Sequence, residues 1–160
     1  MASSDVADLF PADVVAPSAA MVRASIAVAA AIDRAAVAPA GLEPATSDLL
    51  VRLSLSPQQR LRGVDIGRQL HIGPTKVSRL VDRAERDGYV VRTPDPDDRR
   101  AQYVSLTPDG VEAATRFAPL VSGVVQRIFG ATLSPDEQVI LIGMLDRISE
   151  AADTIEGVEA

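Results

Sequence analysis

The chain has 160 residues, a length that suits one domain, or one domain with helical extensions, around a substantial core. Hydrophobic residues make up 47% of it and aromatic residues only 3%, so we expect a folded chain whose core consists of small aliphatic side chains in closely packed helices. It has no cysteine and one histidine, His71, which excludes disulfides, thiol catalysis and cysteine-based zinc sites and argues against histidine-based catalysis or metal binding.

The net charge of −6 is unevenly distributed along the chain. Residues 60–100 hold ten Lys and Arg against seven Asp and Glu, a balance of +3, whereas the remainder holds six against fifteen, a balance of −9. The local field on a contacting face decides binding more than the total charge does. We therefore expect residues 60–100 to meet an anionic partner, and the acidic remainder to keep the chain soluble.

The N-terminal part divides into an arm and a helix. Residues 1–17 contain two prolines and lack clear periodicity, which predicts an arm that is ordered only by packing on something else. Residues 18–42 hold an alanine-rich helix that runs to about Val37 and is apolar on nearly every side. A helix that is apolar all round has to be buried, and one small domain seldom covers every side, so this helix predicts a partner subunit.

The alanine-rich helix also bears on whether the protein contacts a membrane. Asp33 and Arg34 interrupt it, and its length and charge argue against a membrane span. The acidic N-terminus lacks the early Lys or Arg of a secretory signal. We therefore expect a soluble cytoplasmic protein without membrane contact.

The central and C-terminal elements follow from periodicity and from turn residues. We predict helices over 44–54, 64–70 and 74–87, strands over 89–92 and 101–106, a long helix from 108 to about 130, and a last helix after the capping box Ser134-Pro-Asp-Glu. Val64, Ile66 and Leu70 should face inward from the short helix. Gly73 and Pro74 suit the start of the helix over 74–87 and Gly88 suits its end, while Val77, Leu80, Val81 and Ala84 form its inner face.

The outer face of that helix carries hydrogen-bonding and basic side chains at offsets of three and four: Thr75, Lys76, Arg79 and Arg83, with Ser78 beside them. Arg and Lys can pair with guanine in the DNA major groove, and hydroxyl groups can bond phosphates or base edges. An ordinary solvated helix face is the alternative, and the acidic residues Asp82, Glu85 and Asp87 favour it. The face alone leaves both interpretations open.

The two predicted strands form a hairpin whose tip carries Asp98, Arg99 and Arg100. An arginine on a hairpin tip can enter the DNA minor groove, and Asp98 can fix the direction of Arg100 by a charge-assisted pair. A polar turn with incidental charges is the alternative. A helix for the major groove followed by a hairpin for the minor groove is typical of a winged helix-turn-helix, which makes DNA binding the leading hypothesis.

Residues 61–110, LRGVDIGRQLHIGPTKVSRLVDRAERDGYVVRTPDPDDRRAQYVSLTPDG, closely resemble the winged-helix region of the MarR family of bacterial transcriptional regulators. The resemblance extends more weakly to the final LSPDEQVILIGMLDRI. It implies a homodimer that is held by N- and C-terminal helices and binds a pseudo-palindromic operator, usually as a repressor, and that a small ligand can release. Thr75, Lys76, Ser78, Arg79 and Arg83 match the recognition-helix positions, and Asp98 and Arg100 match the wing pattern D-x-R, with Arg99 between them.

The resemblance also divides the chain and limits its regulation. The resemblance barely touches residues 1–45, but together with the predicted elements it divides the chain into an arm over 1–17, a dimerisation helix over 18–42, a DNA-binding domain over 43–107 and dimerisation helices over 108–160. His71 stands where the family usually has glycine, at a cost of roughly 1 kcal/mol if its φ is positive. The lack of cysteine excludes oxidation sensing. An anionic effector could meet Arg23, Arg34 or Arg116, for which surface salt bridges are the alternative role. A phenolic effector would find few aromatic side chains to stack on, and the absence of any effector is a further alternative.

We therefore expect a mainly α (α+β) winged helix-turn-helix homodimer that binds double-stranded DNA and regulates transcription without a cofactor, a metal or catalytic residues. The alternative is a winged-helix dimer that has lost DNA binding and serves as a protein-interaction module, which the six acidic residues over 82–98 favour. An enzyme lacks support, because no nucleophile–base pair, metal cluster or glycine-rich phosphate loop is present.

Overall fold

The computed structural model describes residues 12–96, 98 and 101–155. Its elements are helices α1 (Ala12–Ile32), α2 (Pro44–Leu55), α3 (Gly63–Leu70), α4 (Pro74–Arg86), α5 (Pro108–Val125) and α6 (Pro135–Asp153), and strands β1 (Arg60–Arg62), β2 (Val90–Pro94) and β3 (Gln102–Leu106). Short π-helical turns over 33–37 and 126–130 extend α1 and α5. This order, with α3, a turn, α4 and a hairpin at its centre, confirms the predicted mainly helical winged helix-turn-helix fold.

The chain divides after Val121 into two compact units. The core of the first unit is built from α2, α3, α4, the sheet and α5, and its largest fully buried side chains are Phe117, Leu49, Leu50, Leu53, Ile66, Val81 and Val90. The three leucines of α2 lie at the helical spacing that the sequence predicts. This unit therefore has a complete apolar interior of its own.

Three antiparallel strands form a sheet in the order β1-β3-β2. Strand β1 was not predictable from the sequence, because three residues between Gln59 and the start of α3 are too few for a visible alternation. Only Leu61 is buried in β1, and it lies opposite Val104 of β3. Strand β2 pairs with β3 from Val90 to Pro94, so it reaches two residues beyond its predicted end.

The turn between α3 and α4 depends on one left-handed residue. His71 has φ 50° and ψ 43°, as expected for a position that usually holds glycine, and its amide closes the last turn of α3. Gly73 precedes α4 with extended backbone, Pro74 occupies the first turn, and the amides of Lys76 and Val77 donate to the Gly73 carbonyl. The boundaries of α4 are confirmed.

The prediction that Val64 faces inward from α3 is wrong. Ile66 is buried and Leu70 packs against the core, but the side chain of Val64 is 63% exposed. Val64 and Ile66 are two positions apart, about 200° around the helix, so the core can receive only one of them.

Helix α1 begins six residues before its predicted start. Residues 12–17, predicted as part of an arm, are helical, and Pro17 lies inside the helix at the loss of one backbone hydrogen bond. The rest of the predicted arm lies outside the described residues. Met21, Val22 and Ile26 are exposed along α1.

The α1 region is also longer than its sequence interpretation allowed. By length and composition, Val15–Val37, with 23 residues, could cross a membrane, and none of its most apolar window is buried within the chain. The expectation against a span considered the run between Arg23 and Asp33, whereas the whole helix has the length of a span, for which about 20 residues suffice. A helix that a second subunit covers would show the same exposure.

The start of α5 is tied to the hairpin. The Thr107 hydroxyl accepts a hydrogen bond from the Gly110 amide at 3.0 Å and donates one to the Gly88 carbonyl at 2.6 Å. A β-carbon on Gly110 would lie 2.0 Å from the carbonyl oxygen of Tyr89, so only glycine permits this approach. The sequence Thr-Pro-Asp-Gly thereby fixes the first turn of α5 against the start of β2.

Helix α6 belongs to the second unit and starts at the predicted capping box. The Glu137 amide donates to the Ser134 hydroxyl, and the Ser134 amide donates to the Glu137 carboxylate, which lowers the pKa of that carboxyl. No residue of α6 whose burial is described is buried. The exposed large apolar side chains of α6 are Val139, Ile140, Ile142, Met144, Leu145 and Ile148.

Candidate nucleic-acid interface

Helix α4 presents one apolar face to the core and one polar face to solvent. Its predicted inner residues, Val77, Leu80, Val81 and Ala84, are all buried. Thr75, Lys76, Ser78 and Arg79 are all exposed. Thr75 and Arg79 are four residues apart, so they lie one above the other on the outward side, where a groove of DNA could reach both.

Arg83, the last residue of the predicted face, lies beside another element. Its guanidinium forms an ion pair with Glu43, directly before α2, and both side chains are about half exposed. Thr75, Lys76, Ser78 and Arg79 thus form a group in the first half of α4, whereas Arg83 links the second half of α4 to the start of α2.

A second arginine links the hairpin to α4. The Arg92 guanidinium, on β2, forms ion pairs with Asp82 and with Glu85, and its Nη2 lies 2.6 Å from the Asp82 carboxylate. The Arg92 backbone amide also donates to Glu85 at 3.1 Å. These contacts fix the position of β2 against the helix that carries the candidate DNA-reading residues.

The base of the hairpin is held on its other side by Arg62 of β1. Asp95, whose side chain is fully buried, forms an ion pair with Arg62, and the Asp95 amide donates to the Ala101 carbonyl at 3.1 Å. The ring of Tyr103 lies 5.4 Å from the Arg62 guanidinium and 4.4 Å from that of Arg60. A hydrogen bond with Tyr103 and the charge of Asp95 raise the pKa of Arg62, which stays cationic at every relevant pH.

The tip of the hairpin is described in part. Asp98 is exposed, and its carbonyl accepts a hydrogen bond from the Ala101 amide at 2.9 Å. Arg99 and Arg100 lie outside the described residues, and so does the predicted pair between Asp98 and Arg100. Their contact with DNA stays a prediction.

The ion pairs that Arg62, Arg92 and Asp95 form around the hairpin were not predictable from the sequence. Arg92 lay inside a strand prediction, where the identity of an ion-pair partner depends on how β2 packs on α4. Arg62 lay in the strand that the sequence did not reveal. The sequence does show an excess of arginine around a hairpin that also carries acidic residues. That composition indicates ion pairs there, but it does not identify which arginine pairs with which carboxylate.

The described residues line several cavities, of which one of about 540 Å³ lies beside the Arg83–Glu43 ion pair. A groove of about 760 Å³ lies between α3, α4 and the hairpin, with Arg62, Arg68 and Arg92 among its lining residues. A further cavity of about 520 Å³ is lined by α1, its π-helical turn, α2 and α5, and is largely apolar. Its charged lining residues are Asp33 and Asp48. Arg23, Arg34 and Arg116, the predicted partners of an anionic effector, do not line it.

Comparison with known proteins gives a consistent result. A model of the MarR family matches residues 40–101. An uncharacterised helix-turn-helix type transcriptional regulator of Bacillus subtilis is 35% identical over 107 residues, which cover 67% of this chain and 68% of that protein.

Solved structures extend the similarity to most of the chain. A MarR family regulator of Streptomyces coelicolor in complex with DNA is 28% identical, with a TM-score of 0.78 and coverage of 89% of both chains. A Bordetella bronchiseptica protein, whose DNA binding is regulated by 6-hydroxynicotinic acid, is 26% identical, with a TM-score of 0.70 and coverage of 82% of this chain and 91% of its own. The similarity includes the helices on both sides of the winged region.

Proposed function

The chain belongs to the MarR family of DNA-binding transcriptional regulators, and we propose that it works as a homodimeric repressor on a pseudo-palindromic operator. The observation that carries this proposal is the exposed group Thr75, Lys76, Ser78 and Arg79 on a helix whose opposite face is buried. Occlusion of a promoter by the bound dimer is the mode of action that we propose.

Each residue of the interface has a proposed role. Arg79 and Lys76 read guanine edges in the major groove, while the Thr75 and Ser78 hydroxyls bond bases or phosphates. Arg83, which is already paired with Glu43, contacts a phosphate at most. Asp98 orients the hairpin tip, from which Arg99 and Arg100 reach the minor groove or the backbone.

We propose that the helices outside residues 43–107 form the dimer. Apolar side chains lie exposed along α1, and six lie exposed along α6. Burial of such surfaces against a second copy removes them from water, at about 25 cal/mol per Å² of apolar area. In the dimer, two α4 helices about 34 Å apart would read half-sites on one face of B-DNA. A dimer of this kind would act in the cytoplasm, where its operator lies.

We propose that a small molecule releases the DNA by binding in the cavity between α1, α2 and α5. The Bordetella relative, which a small molecule regulates, supports such control. The cavity is largely apolar and its charged lining residues are Asp33 and Asp48, of which Asp48 is paired with Arg52, so a neutral phenolic effector fits its lining better than the anionic one that the sequence suggested.

The test is selection of DNA from sheared genomic fragments by the purified full chain, followed by footprinting. We expect a pseudo-palindromic footprint and a loss of affinity as salt rises. Arg79→Ala should lower specific affinity by about 1–3 kcal/mol and relax base preference at one position in each half-site, and Arg100→Ala should reduce the salt slope by about 1. Arg116→Ala, on exposed α5, is the control and should leave binding unchanged.

A protein-interaction module remains the alternative, and the same experiment decides between the two. The acidic residues that favoured it include Asp82 and Glu85, which Arg92 engages in ion pairs. Failure of the wild-type protein to retain any genomic fragment at low salt would favour the module and contradict the repressor.

A further inference from the structure

The outward side of α4 carries two carboxylates next to its candidate DNA-reading residues. Asp82 follows Arg79 by three residues and Glu85 follows it by six, which corresponds to about 4.5 Å and about 9 Å along the helix axis. Both distances are comparable with the Debye length of about 8 Å at physiological salt. Unpaired carboxylates at these positions would repel DNA phosphates and draw Arg79 away from a base.

One guanidinium engages both carboxylates. The Arg92 side chain, 22% exposed, directs Nη1 to Glu85 and Nη2 to Asp82, and its Nη2 also lies 3.5 Å from the Ser78 carbonyl oxygen. A planar guanidinium can meet two carboxylates at once, whereas a lysine ammonium is a single point charge on a flexible stem. The three acceptors at 78, 82 and 85 lie along one side of α4, so the pairing spans about two turns.

We propose that Arg92 is a positioning residue for DNA recognition, whose guanidinium holds Asp82 and Glu85 in ion pairs and so offsets one of their two negative charges and holds both carboxylates away from Arg79. This inference rests on the proposed function. Arg92 itself need not touch the nucleic acid. Its effect is exerted through the field around Arg79, which is strongest at low salt.

Arg92 could instead have a purely structural role. The two roles predict opposite changes in the DNA affinity of a variant that lacks both carboxylates. If the ion pairs only hold β2 against α4, loss of the carboxylates by Asp82→Asn with Glu85→Gln should weaken DNA binding as much as Arg92→Gln does. If Arg92 instead acts by offsetting the negative charge of the carboxylates, the same double variant, which lacks that charge, should bind DNA at least as tightly as the wild type. The amide side chains are close in size to the carboxylates, so packing is nearly unchanged.

The experiment measures the affinity of four full-length proteins for a duplex that the wild type selects from genomic DNA: wild type, Arg92→Gln, the double variant and the triple variant. We expect Arg92→Gln to weaken binding on the order of tenfold at about 50 mM salt, with a smaller loss at about 200 mM. The triple variant should recover to within about threefold of the wild type. Arg116→Gln, which removes an exposed i,i+4 ion pair with Glu112 on α5, is the matched control.

Each outcome decides the proposal. Recovery in the triple variant supports it, and a salt-dependent loss in Arg92→Gln agrees with it. An unchanged Arg92→Gln, or a triple variant as weak as Arg92→Gln, overturns it while the wild type still binds. A wild type that binds no fragment overturns the proposed function, and this inference with it. Thermal unfolding of each variant shows whether a loss comes from misfolding, and the double variant, which keeps Arg92, tests the charge effect even if Arg92→Gln unfolds.

Discussion

The winged region and helix α6 are both amphipathic in sequence, yet they differ in what covers their apolar residues. Leu49, Leu50 and Leu53 of α2 are fully buried by neighbours within the first unit. In α6, which belongs to the second unit, Ile140 and five other large apolar side chains are exposed. Apolar periodicity therefore indicates that a face is to be covered, but it does not say whether the cover comes from the same chain.

The largest effect should come from a cavity in the winged region. Leu50→Ala should lower the free energy of unfolding by about 3 kcal/mol, because the buried side chain is replaced by a void. Leu55→Ala, in the same helix but 79% exposed, is the matched control and should cost less than about 0.5 kcal/mol. Urea unfolding measures both. Similar losses in the two variants would contradict the described core.

Removal of one partner from the buried ion pair should come next. Arg62→Ala removes the guanidinium that pairs with the buried Asp95 carboxylate and should cost about 2–3 kcal/mol. Arg68→Ala removes an exposed i,i+3 pair with Asp65 and should cost less than about 0.5 kcal/mol. The same urea titration compares them. If both arginines prove equally dispensable, Arg62 does not fix the base of the hairpin.

A polar substitution in α6 should act on assembly rather than on the fold of a subunit. Ile140→Asp should raise the dimer dissociation constant at least tenfold, or about 1.4 kcal/mol, since a charge would enter an apolar interface. Sedimentation equilibrium measures the constant, and far-UV circular dichroism should stay unchanged. Asp146→Asn, also on exposed α6, controls for a change of charge alone. A monomeric wild type would contradict the proposed role of α6.

The smallest effect concerns a single turn between α4 and β2. Gly88 has φ +81°, a conformation that costs other residues about 1 kcal/mol, so Gly88→Ala should destabilise the chain by that amount. Gly123→Ala is the opposite control, because a β-carbon there meets nothing within 4 Å and alanine favours the helix. In thermal unfolding, the midpoint temperature should therefore fall for Gly88→Ala and rise for Gly123→Ala.

Elements with strong local signals were predictable from the sequence. The ends of α4 followed from Gly73, Pro74 and Gly88, and its inner face followed from the spacing of four residues, all of which are buried. The start of α6 followed from Ser134 and Glu137, which form both hydrogen bonds of the capping box. Each of these features depends on residues within one or two turns of each other, which is the range over which sequence patterns are informative.

Features that depend on distant contacts were not predictable. Strand β1 exists because Leu61 pairs opposite Val104, 43 positions along the chain. The partner of Arg92 depends on the packing of β2 against α4, and Val64 faces solvent because the core lies on the side of Ile66. In each case the sequence supplies the residue type, and only the tertiary structure supplies its neighbour.

The sheet also has consequences for the behaviour of this protein at high concentration. The outer edges of a sheet carry unpaired backbone donors and acceptors, to which a strand of another molecule can add. Here one edge is β1, three residues long with Arg60 and Arg62 on it, and the other is β2, where Glu85 occupies the backbone donor of Arg92. Short, charged or occupied edges resist strand addition, so this sheet offers little to a strand of another molecule.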